Sequence, residues 1–133
     1  MQIVVDISGR PAPQGSKKSV GGNRFIEASK YLPAWRKLCK EAAIQSATTA
    51  GWQAASGAIE LEVVFYLERP ASIKPSKRFH PIKPPDLSKL IRAIEDSFTG
   101  VFYEDDAQII KLTAFKLYAD SREPGAFAKV TVL

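Results

Sequence analysis

The residues PPDLSKLIRAIEDSFTGVFYEDDAQ, at positions 84–108, contain the pattern that decides the fold. After Asp86, apolar residues recur at helical spacing and form one stripe: Leu87, Leu90, Ile91, Ile94 and Phe98. Gly100 ends this helix, and an acidic run, Glu104, Asp105 and Asp106, opens a strand. The sequence therefore predicts carboxylates at the ends of two adjacent elements, where they could share a metal ion.

Carboxylates in this arrangement suit phosphodiester hydrolysis. That reaction needs a positioned water, neutralised phosphate oxygens and a stabilised leaving alkoxide, and a magnesium ion can provide all three. Magnesium prefers oxygen ligands and keeps several waters, so two or three Asp side chains suffice. Arg92 lies about one and a half helical turns after Asp86 and could stabilise developing negative charge at the same edge.

Each of these residues also has a purely structural interpretation. Asp86 could serve only as a helix cap, and the acidic run could be a solvated turn. Arg92 could be a solvent-facing side chain paired with Ser88 or Glu95. Taken together, the placement of the acids and the basic segments beside them favours a functional site.

Composition indicates a folded protein with a polyanionic partner. The 133 residues, 45% hydrophobic and 25% charged, fit a single domain spanning 1–133. A net charge of +5 and a pI near 9.4 favour nucleic acid. Two segments carry cations without any acid: Arg10, Lys17, Lys18 and Arg24 in the first, and Arg69, Lys74, Lys77, Arg78 and Lys83 in the second.

Other classes of protein are disfavoured. The single Cys39 lies among Leu and Ala, which predicts a buried helical thiol in a reducing compartment. The only histidine, His80, has no evident partner for cysteine catalysis. No apolar run approaches the ~20 residues of a membrane span, and Met1 leads directly into a strand. We therefore expect a cytoplasmic protein without a membrane partner or a small-molecule substrate.

The remaining pattern predicts an α+β fold. The first residues, MQIVVDI, alternate as a strand that ends at Gly9, and residues 9–23 have the composition of a mobile loop able to fold over a phosphate. A helix is predicted from Ser29, its cap, to about Gly51, with Pro33 in the first turn and one apolar face: Trp35, Leu38, Cys39 and Ala42.

Three more strands complete the prediction. Residues 59–67 alternate as a half-buried strand with an acidic outer face, and residues 69–85 are irregular. Residues 107–118 form a long strand that is apolar on both faces and is therefore expected at the centre of the sheet. A closing strand covers 127–133. The expected architecture is about four strands in one mixed sheet with two main helices packed on it.

These residues resemble the RusA family of Holliday junction resolvases over nearly the whole chain. The N-terminal loop of that family is matched by GRPAPQGSKK at 9–18, and its Pro and Trp helix entry by YLPAW at 31–35. Its most specific part is an Asp-x-Asp-Asn-Leu-x-Lys helix start, followed by a Gly and an Asp-Asp pair. Here this part has Asp86, Ser88 and Arg92, followed by Gly100 and the Asp105–Asp106 pair.

The resemblance implies a magnesium-dependent, homodimeric DNA endonuclease of the type that many phages encode. It would resolve four-way junctions in DNA recombination and repair. The resemblance assigns metal binding and catalysis to Asp86 and Asp106, and Asp105, beside Asp106, is a further candidate for both roles. Arg92 replaces the functional Lys of the family, and Ser88 replaces its second helix Asp, which removes a negative charge and a magnesium ligand.

The basic residues would contact DNA phosphates without reading sequence, namely Lys17, Lys18, Arg24, Lys74, Lys77, Arg78 and Lys89. Ser88 leaves an alternative open: a weakened or inactive protein that binds junctions or single strands, with Phe25, Trp35 or Phe79 as stacking surfaces. The enzyme could manage without the missing Asp, it could be a weakened nuclease, or Ser88 could be an engineered change. A phage accessory protein with no nucleic-acid role is disfavoured by the charge pattern.

Overall fold

A computed structural model describes the backbone of residues 1–15, 17–21, 24–27 and 29–133, and the side chains of 1–15, 21 and 29–133. The strands are β1 (Gln2–Ser8), β2 (Lys17–Gly21), β3 (Arg24–Glu27), β4 (Ile59–Leu67), β5 (Ile109–Tyr118) and β6 (Gly125–Val132). The helices are α1 (Leu32–Ala50) and α2 (Leu87–Phe98), and a 3₁₀ turn covers Asp106–Gln108. The side chains of Lys17, Lys18, Arg24 and Phe25, for which we predicted DNA contacts, lie outside the described residues.

Four strands form one mixed sheet in the order β1-β6-β4-β5. The strand β4 pairs in parallel with β5 and antiparallel with β6, and β1 pairs antiparallel with β6. Gly125 permits the close approach of β6 to β1, because a Cβ at that position would collide with the carbonyl oxygen of Ile7. The predicted α+β fold, with a mixed four-stranded sheet and two helices, is confirmed.

The core lies between one face of the sheet and the two helices. Alternate residues of β4 are buried, from Ile59 to Leu67, and Glu60 and Glu62 lie on the half-exposed face as predicted. The largest fully buried side chains include Trp35 of α1, Phe65 of β4 and Phe98 of α2. Trp35 is thus a core residue and not a stacking surface for a base.

The helix α1 begins later than predicted and buries a different stripe. Tyr31, not Ser29, is the N-cap residue, while Pro33 lies in the first turn and Gly51 ends the helix in a left-handed conformation, as expected. The buried residues Trp35, Cys39, Ala43 and Ala47 recur every four positions. Leu38 is 39% exposed and Ala42 only half-buried, because the i+4 row, and not the i+3 row, faces the core.

The predicted loop at residues 9–23 contains a strand instead. Here β2 pairs antiparallel with β3, with Lys17 opposite Glu27 and Ser19 opposite Phe25. The loop prediction was wrong because a short polar strand lacks the alternation of apolar residues by which strands are recognised in a sequence. Its pairing with β3 identifies it as a strand. Basic residues of the first acid-free segment are therefore carried on a β-hairpin.

The strand β5 was expected at the centre of the sheet, and this prediction was wrong. It lies at an edge, since β6 returns between β1 and β4. Several of its apolar side chains are consequently exposed, including Ile110 at 69% and Phe115 at 57%. The acidic run also does not open the strand directly, because its last residue, Asp106, begins a 3₁₀ turn that ends just before β5.

Residues 69–85 are irregular, as predicted. Arg69 holds this segment to the turn after β5: its guanidinium donates two hydrogen bonds of 2.8 Å to the Asp120 carboxylate. In the described parts of the chain, no helix is long and apolar enough to cross a membrane.

Candidate active site

The first element of the site is the entrance to α2. Asp86 is the N-cap residue in extended conformation, yet its side chain accepts no capping hydrogen bond. Its carboxylate is 56% exposed and lies 3.7 Å from the ammonium of Lys89. Helix capping therefore does not account for this Asp, and its oxygens face solvent, where a ligand can reach them.

The entrance to α2 is held in place by the edge strand. The ammonium of Lys116 donates hydrogen bonds to the carbonyl oxygens of Lys83 at 3.0 Å and Pro85 at 2.8 Å. The residue after Pro85 is Asp86. Lys116 therefore fixes the backbone just before Asp86. The sequence predicted Lys116 only as a residue of a strand and gave no sign of this role.

The second element is the 3₁₀ turn after α2. Asp105 caps it: its carboxylate accepts the amide hydrogen of Ala107 at 3.0 Å, and the Asp105 amide donates to the side-chain oxygen of Gln108 at 2.7 Å. The side-chain nitrogen of Gln108 donates to the carbonyl oxygens of Ala55 and Gly57. The turn that carries Asp105 and Asp106 is thus attached to the loop before β4.

The carboxylates here influence one another. Partial burial raises the pKa of Asp106 above its usual value, and Asp105 and Asp96 raise it further. The Ala107 amide and a hydrogen bond shared with Asp106 lower the pKa of Asp105. Burial also raises the pKa of Glu95, followed by the charges of Asp106 and Asp96. We call Glu95, Asp96, Asp105 and Asp106 the acidic cluster.

One cation, Arg92, lies beside the acidic cluster. The pKa of Glu95 is raised by burial, Asp106 and Asp96, and the positive charge of Arg92 offsets part of this increase. The Arg92 guanidinium lies so close to Gly15 that a Cβ at that position would collide with it. Arg92 is itself exposed, so it combines proximity to the carboxylates with access from solvent.

A residue far away in sequence reaches the same place. The side-chain nitrogen of Gln14 donates a hydrogen bond to the Asp96 carboxylate, and the Gln14 amide donates to the Lys89 carbonyl oxygen at 3.0 Å. Neither Gln14 nor Asp96 was predicted as a site residue. Asp96 falls four residues after Arg92 on the same helix face, a spacing that could have indicated it, whereas nothing in the sequence indicated Gln14.

The structure separates the predicted carboxylates into two places. Asp86 lies at the start of α2, and Glu95 lies roughly 14 Å further along the helix axis at 1.5 Å per residue. Among the described residues, no three Asp, Glu, His or Cys side chains are grouped to hold a metal ion. Asp105 and Asp106 are brought together, and Asp86 stands apart from them.

The other predicted residues lie around these two places. Ser88 is exposed in the first turn of α2, and Lys89 is half-buried beside Asp86. Lys74 and Lys77 are exposed in the irregular segment, while Arg78 is half-buried and donates a 3.4 Å hydrogen bond to the Tyr118 hydroxyl. Phe79 is 72% exposed and remains accessible for stacking.

Cys39 has no place in this site. It is fully buried in α1, and burial raises the pKa of its thiol, which removes the thiolate that catalysis would require. The predicted buried helical thiol is confirmed.

A small α+β fold that gathers carboxylates and an exposed Arg beside one helix defines a protein suited to phosphodiester chemistry. A family model for the endodeoxyribonuclease RusA matches residues 8–131. The chain therefore belongs to the RusA endodeoxyribonuclease family, whose members are nucleases that act on branched DNA and generally depend on divalent metal ions. A search of curated proteins found no match.

Proposed function

We propose that this protein is a magnesium-dependent, structure-selective endonuclease that hydrolyses phosphodiester bonds in four-way DNA junctions during recombination and repair. The observation that carries the proposal is the placement of Asp105 and Asp106 side by side on the 3₁₀ turn, where partial burial, Asp105 and Asp96 raise the pKa of Asp106. Members of this family generally depend on divalent metal ions, and adjacent carboxylates are ligands that such ions prefer. The match to RusA over residues 8–131 supports the same conclusion.

The donor set fits a hard divalent cation. Magnesium takes carboxylate oxygens, keeps several waters and often needs only one or two protein carboxylates together with substrate phosphates. Asp105 and Asp106 would hold the ion. Asp86 is the third ligand that the resemblance implies, but it stands apart from this pair, so the described part of the chain brings only two of the three proposed ligands together. When bound, the ion would neutralise the phosphate and make a coordinated water more acidic. Arg92 would contact a phosphate oxygen and stabilise the charge that develops there.

Phosphate contacts would come from the two acid-free basic segments and from Lys89 of α2. Lys74 and Lys77 are exposed and, among the described residues, form no ion pair. We propose that they, Arg78 and Lys89 bind the DNA backbone, together with Lys17, Lys18 and Arg24 of the hairpin. Each phosphate neutralised releases condensed counterions, so affinity should fall steeply with salt.

Ser88 supports a second candidate function, a junction-binding protein with weak or absent cleavage. Its exposed side chain lies two residues after Asp86 and is neutral, so this end of α2 has one carboxylate fewer than the family pattern. A hydroxyl is a weak magnesium ligand. The binding function needs only the basic segments and persists if the metal site is incomplete.

Cleavage of a synthetic four-way junction distinguishes the two functions. The natural chain, Asp106→Asn and Ser88→Asp would be compared with and without Mg²⁺, and junction binding would be measured in parallel. The endonuclease hypothesis requires Mg²⁺-dependent cleavage that Asp106→Asn abolishes while binding persists. Tight binding without cleavage by the natural chain would establish the binding protein. A sharp gain in cleavage by Ser88→Asp would identify Ser88 as a damaged ligand position.

We further propose a homodimer, in which two symmetry-related sites cut two strands of the junction. The exposed face of the sheet offers an apolar row for this contact. Phe115 and Phe127 flank Val64 on neighbouring strands and are 57% and 41% exposed. An isologous contact would cover this row with the same row of a second copy. We place the activity in the cytoplasm of a bacterium or a phage-infected host.

A further inference from the structure

A cavity separate from the acidic cluster lies beside Pro84 and Pro85, the two residues that precede Asp86. It has a volume of about 590 Å³ and lies between the irregular segment 69–85, the segment before the hairpin and the end of β5. Its walls include prolines from separate segments, among them Pro11, Pro81 and Pro124. Because proline fixes its backbone φ angle, such walls keep their shape with little loss of entropy on binding.

The cavity is strongly basic. Four cations line it, namely Arg10, Arg69, Arg78 and Lys83, against one carboxylate, Glu68. Asp120 neutralises Arg69 through an ion pair of 2.8 Å. Within the described part of the chain, Arg10, Arg78 and Lys83 form no ion pair, so three positive charges face the cavity without a carboxylate partner. An anionic ligand is therefore favoured.

Aromatic rings stand among these cations. The Arg10 guanidinium carbon lies 3.6 Å from the centre of the Tyr31 ring, and that of Arg69 lies 4.0 Å from the centre of the Tyr118 ring. Both tyrosines line the cavity. Aromatic rings and guanidinium planes are the surfaces on which proteins stack unpaired bases.

We propose that this cavity binds one unpaired nucleotide of a DNA strand, with the phosphate on Arg10, Arg78 and Lys83 and the base against Tyr31. The cavity volume lies within the range of sites that enclose small ligands. A cavity of this volume suits one small ligand and cannot enclose a duplex. Branch points are where strands leave the duplex and expose such nucleotides.

The position of the cavity connects it to the active site. Pro84 and Pro85 form part of its wall, and the next residue is Asp86. A strand anchored in the cavity would thus continue past Asp86 along α2. This part of the proposal rests on the proposed nuclease function, because the cavity would be the feature by which the nuclease selects branched DNA over uniform duplex.

The test compares two single-stranded probes in EDTA, where cleavage cannot interfere. Anisotropy of labelled octathymidylate would be measured against an octamer of abasic residues with the same phosphates, and dTMP would be added as a competitor. We expect the natural protein to bind octathymidylate about fivefold or more tightly than the abasic probe, because stacking contributes per base. Equal affinity for the two probes would overturn the proposal, as would full displacement by dTMP at concentrations matching the oligonucleotide, which indicates a free-nucleotide site.

Variants locate the preference in the cavity. Tyr31→Leu removes the aromatic ring, so the protein should bind octathymidylate and the abasic octamer with equal affinity. Tyr31→Phe keeps the ring and should retain the preference for octathymidylate. Tyr66→Leu is the matched control, because Tyr66 also has an Arg over its ring, Arg122 at 4.2 Å, but does not line the cavity. A preference that Tyr66→Leu removes as fully as Tyr31→Leu would place the base elsewhere and refute the assignment.

Junction cleavage in Mg²⁺ separates this proposal from the nuclease function. Cleavage by a natural protein that shows no base preference would refute the nucleotide cavity and leave the nuclease standing. A base preference lost in Tyr31→Leu, in a protein that never cuts, would support the cavity and refute the nuclease. Circular dichroism melting of each variant shows whether the fold is retained, and Arg10→Gln, which should weaken both probes, provides a second cavity variant.

Discussion

Gln14 donates its side-chain hydrogen bond to Asp96, a residue 82 positions later in the chain. This contact attaches the segment that leads into the β2–β3 hairpin to the helix that carries Arg92. The hairpin bears basic residues, and Asp96 belongs to the acidic cluster. Together with the hydrogen bond from the Gln14 backbone amide to the Lys89 carbonyl oxygen, this contact positions the segment before the basic hairpin against the helix that carries the acidic cluster.

Replacing this donor with a carboxylate should destabilise the fold. Gln14→Glu removes the hydrogen bond and opposes two negative charges, so we expect a loss of about 2 kcal/mol in the free energy of unfolding at pH 7. Urea unfolding measures it. Gln45→Glu, at an exposed position of α1, is the control, and equal stability of the two variants would contradict the inferred contact.

Removing the charge of Asp106 should stabilise the protein in EDTA while it abolishes cleavage. The pKa of Asp106 is raised in the folded state, so the folded protein holds that proton more tightly than the unfolded chain does. Stability therefore decreases as the pH rises through the folded pKa, and the deficit is complete above it. We expect Asp106→Asn to melt at a higher temperature than the natural chain at pH 7, and the difference to vanish in acid.

Asp120 provides the comparison for that experiment, because its pKa is lowered whereas that of Asp106 is raised. The hydrogen bond from Arg69 lowers the pKa of Asp120, so this carboxylate stabilises the fold above its unfolded pKa, and the contribution is lost as the pH falls through the folded value. Asp120→Asn should therefore lower the melting temperature at pH 7. If Asp106→Asn and Asp120→Asn shift the melting temperature in the same direction, the electrostatic account of the acidic cluster is wrong.

Adding magnesium should raise the melting temperature of the natural chain in a saturable way, because a ligand that binds only the folded state stabilises it by mass action. Asp105→Asn combined with Asp106→Asn should eliminate this shift, and EDTA should reverse it. Differential scanning calorimetry over a Mg²⁺ series makes the measurement. An undiminished shift in the double variant would remove these two residues from the proposed ligand set.

Loss of the Lys116 ammonium should impair cleavage more than junction binding. Lys116→Met breaks the two hydrogen bonds to the backbone before Asp86, and removal of such a supporting contact typically costs about 10–100-fold in activity or metal affinity. Lys111→Met, on the same strand but paired with Glu60 at 3.5 Å, is the matched control. Equal cleavage by both variants would show that Lys116 does not position Asp86.

A polar residue in the apolar row of the sheet should weaken self-association. Phe115→Ser removes the most exposed aromatic side chain of the row, and light scattering coupled to size-exclusion chromatography would follow the shift from dimer to monomer. Phe79→Ser removes a Phe that is still more exposed, at 72%, but lies in the irregular segment. Dimers that persist in Phe115→Ser, or that Phe79→Ser disrupts equally, would exclude this face.

Most of the elements could be predicted because their signals are local. The stripe of α2 recurs at helical spacing, and the alternation of β4 places its acids outward, so both were found within a residue or two of their bounds. The prediction for β5 failed for the opposite reason. Apolar residues on both faces suggested a central strand, but strand order depends on where β6 returns, which no local pattern encodes.

The sequence by itself determined the α+β class, the two helices, the basic segments and the acids at positions 86, 105 and 106, since periodicity, charge and spacing are properties of short stretches. Only the tertiary structure decided which groups meet. It joined Gln14 to Asp96, placed Lys116 beneath the backbone before Asp86 and gathered Glu95 and Asp96 with the predicted Asp pair. These contacts join residues that are distant along the chain, and their geometry arises only when the helices and the sheet pack around a common core.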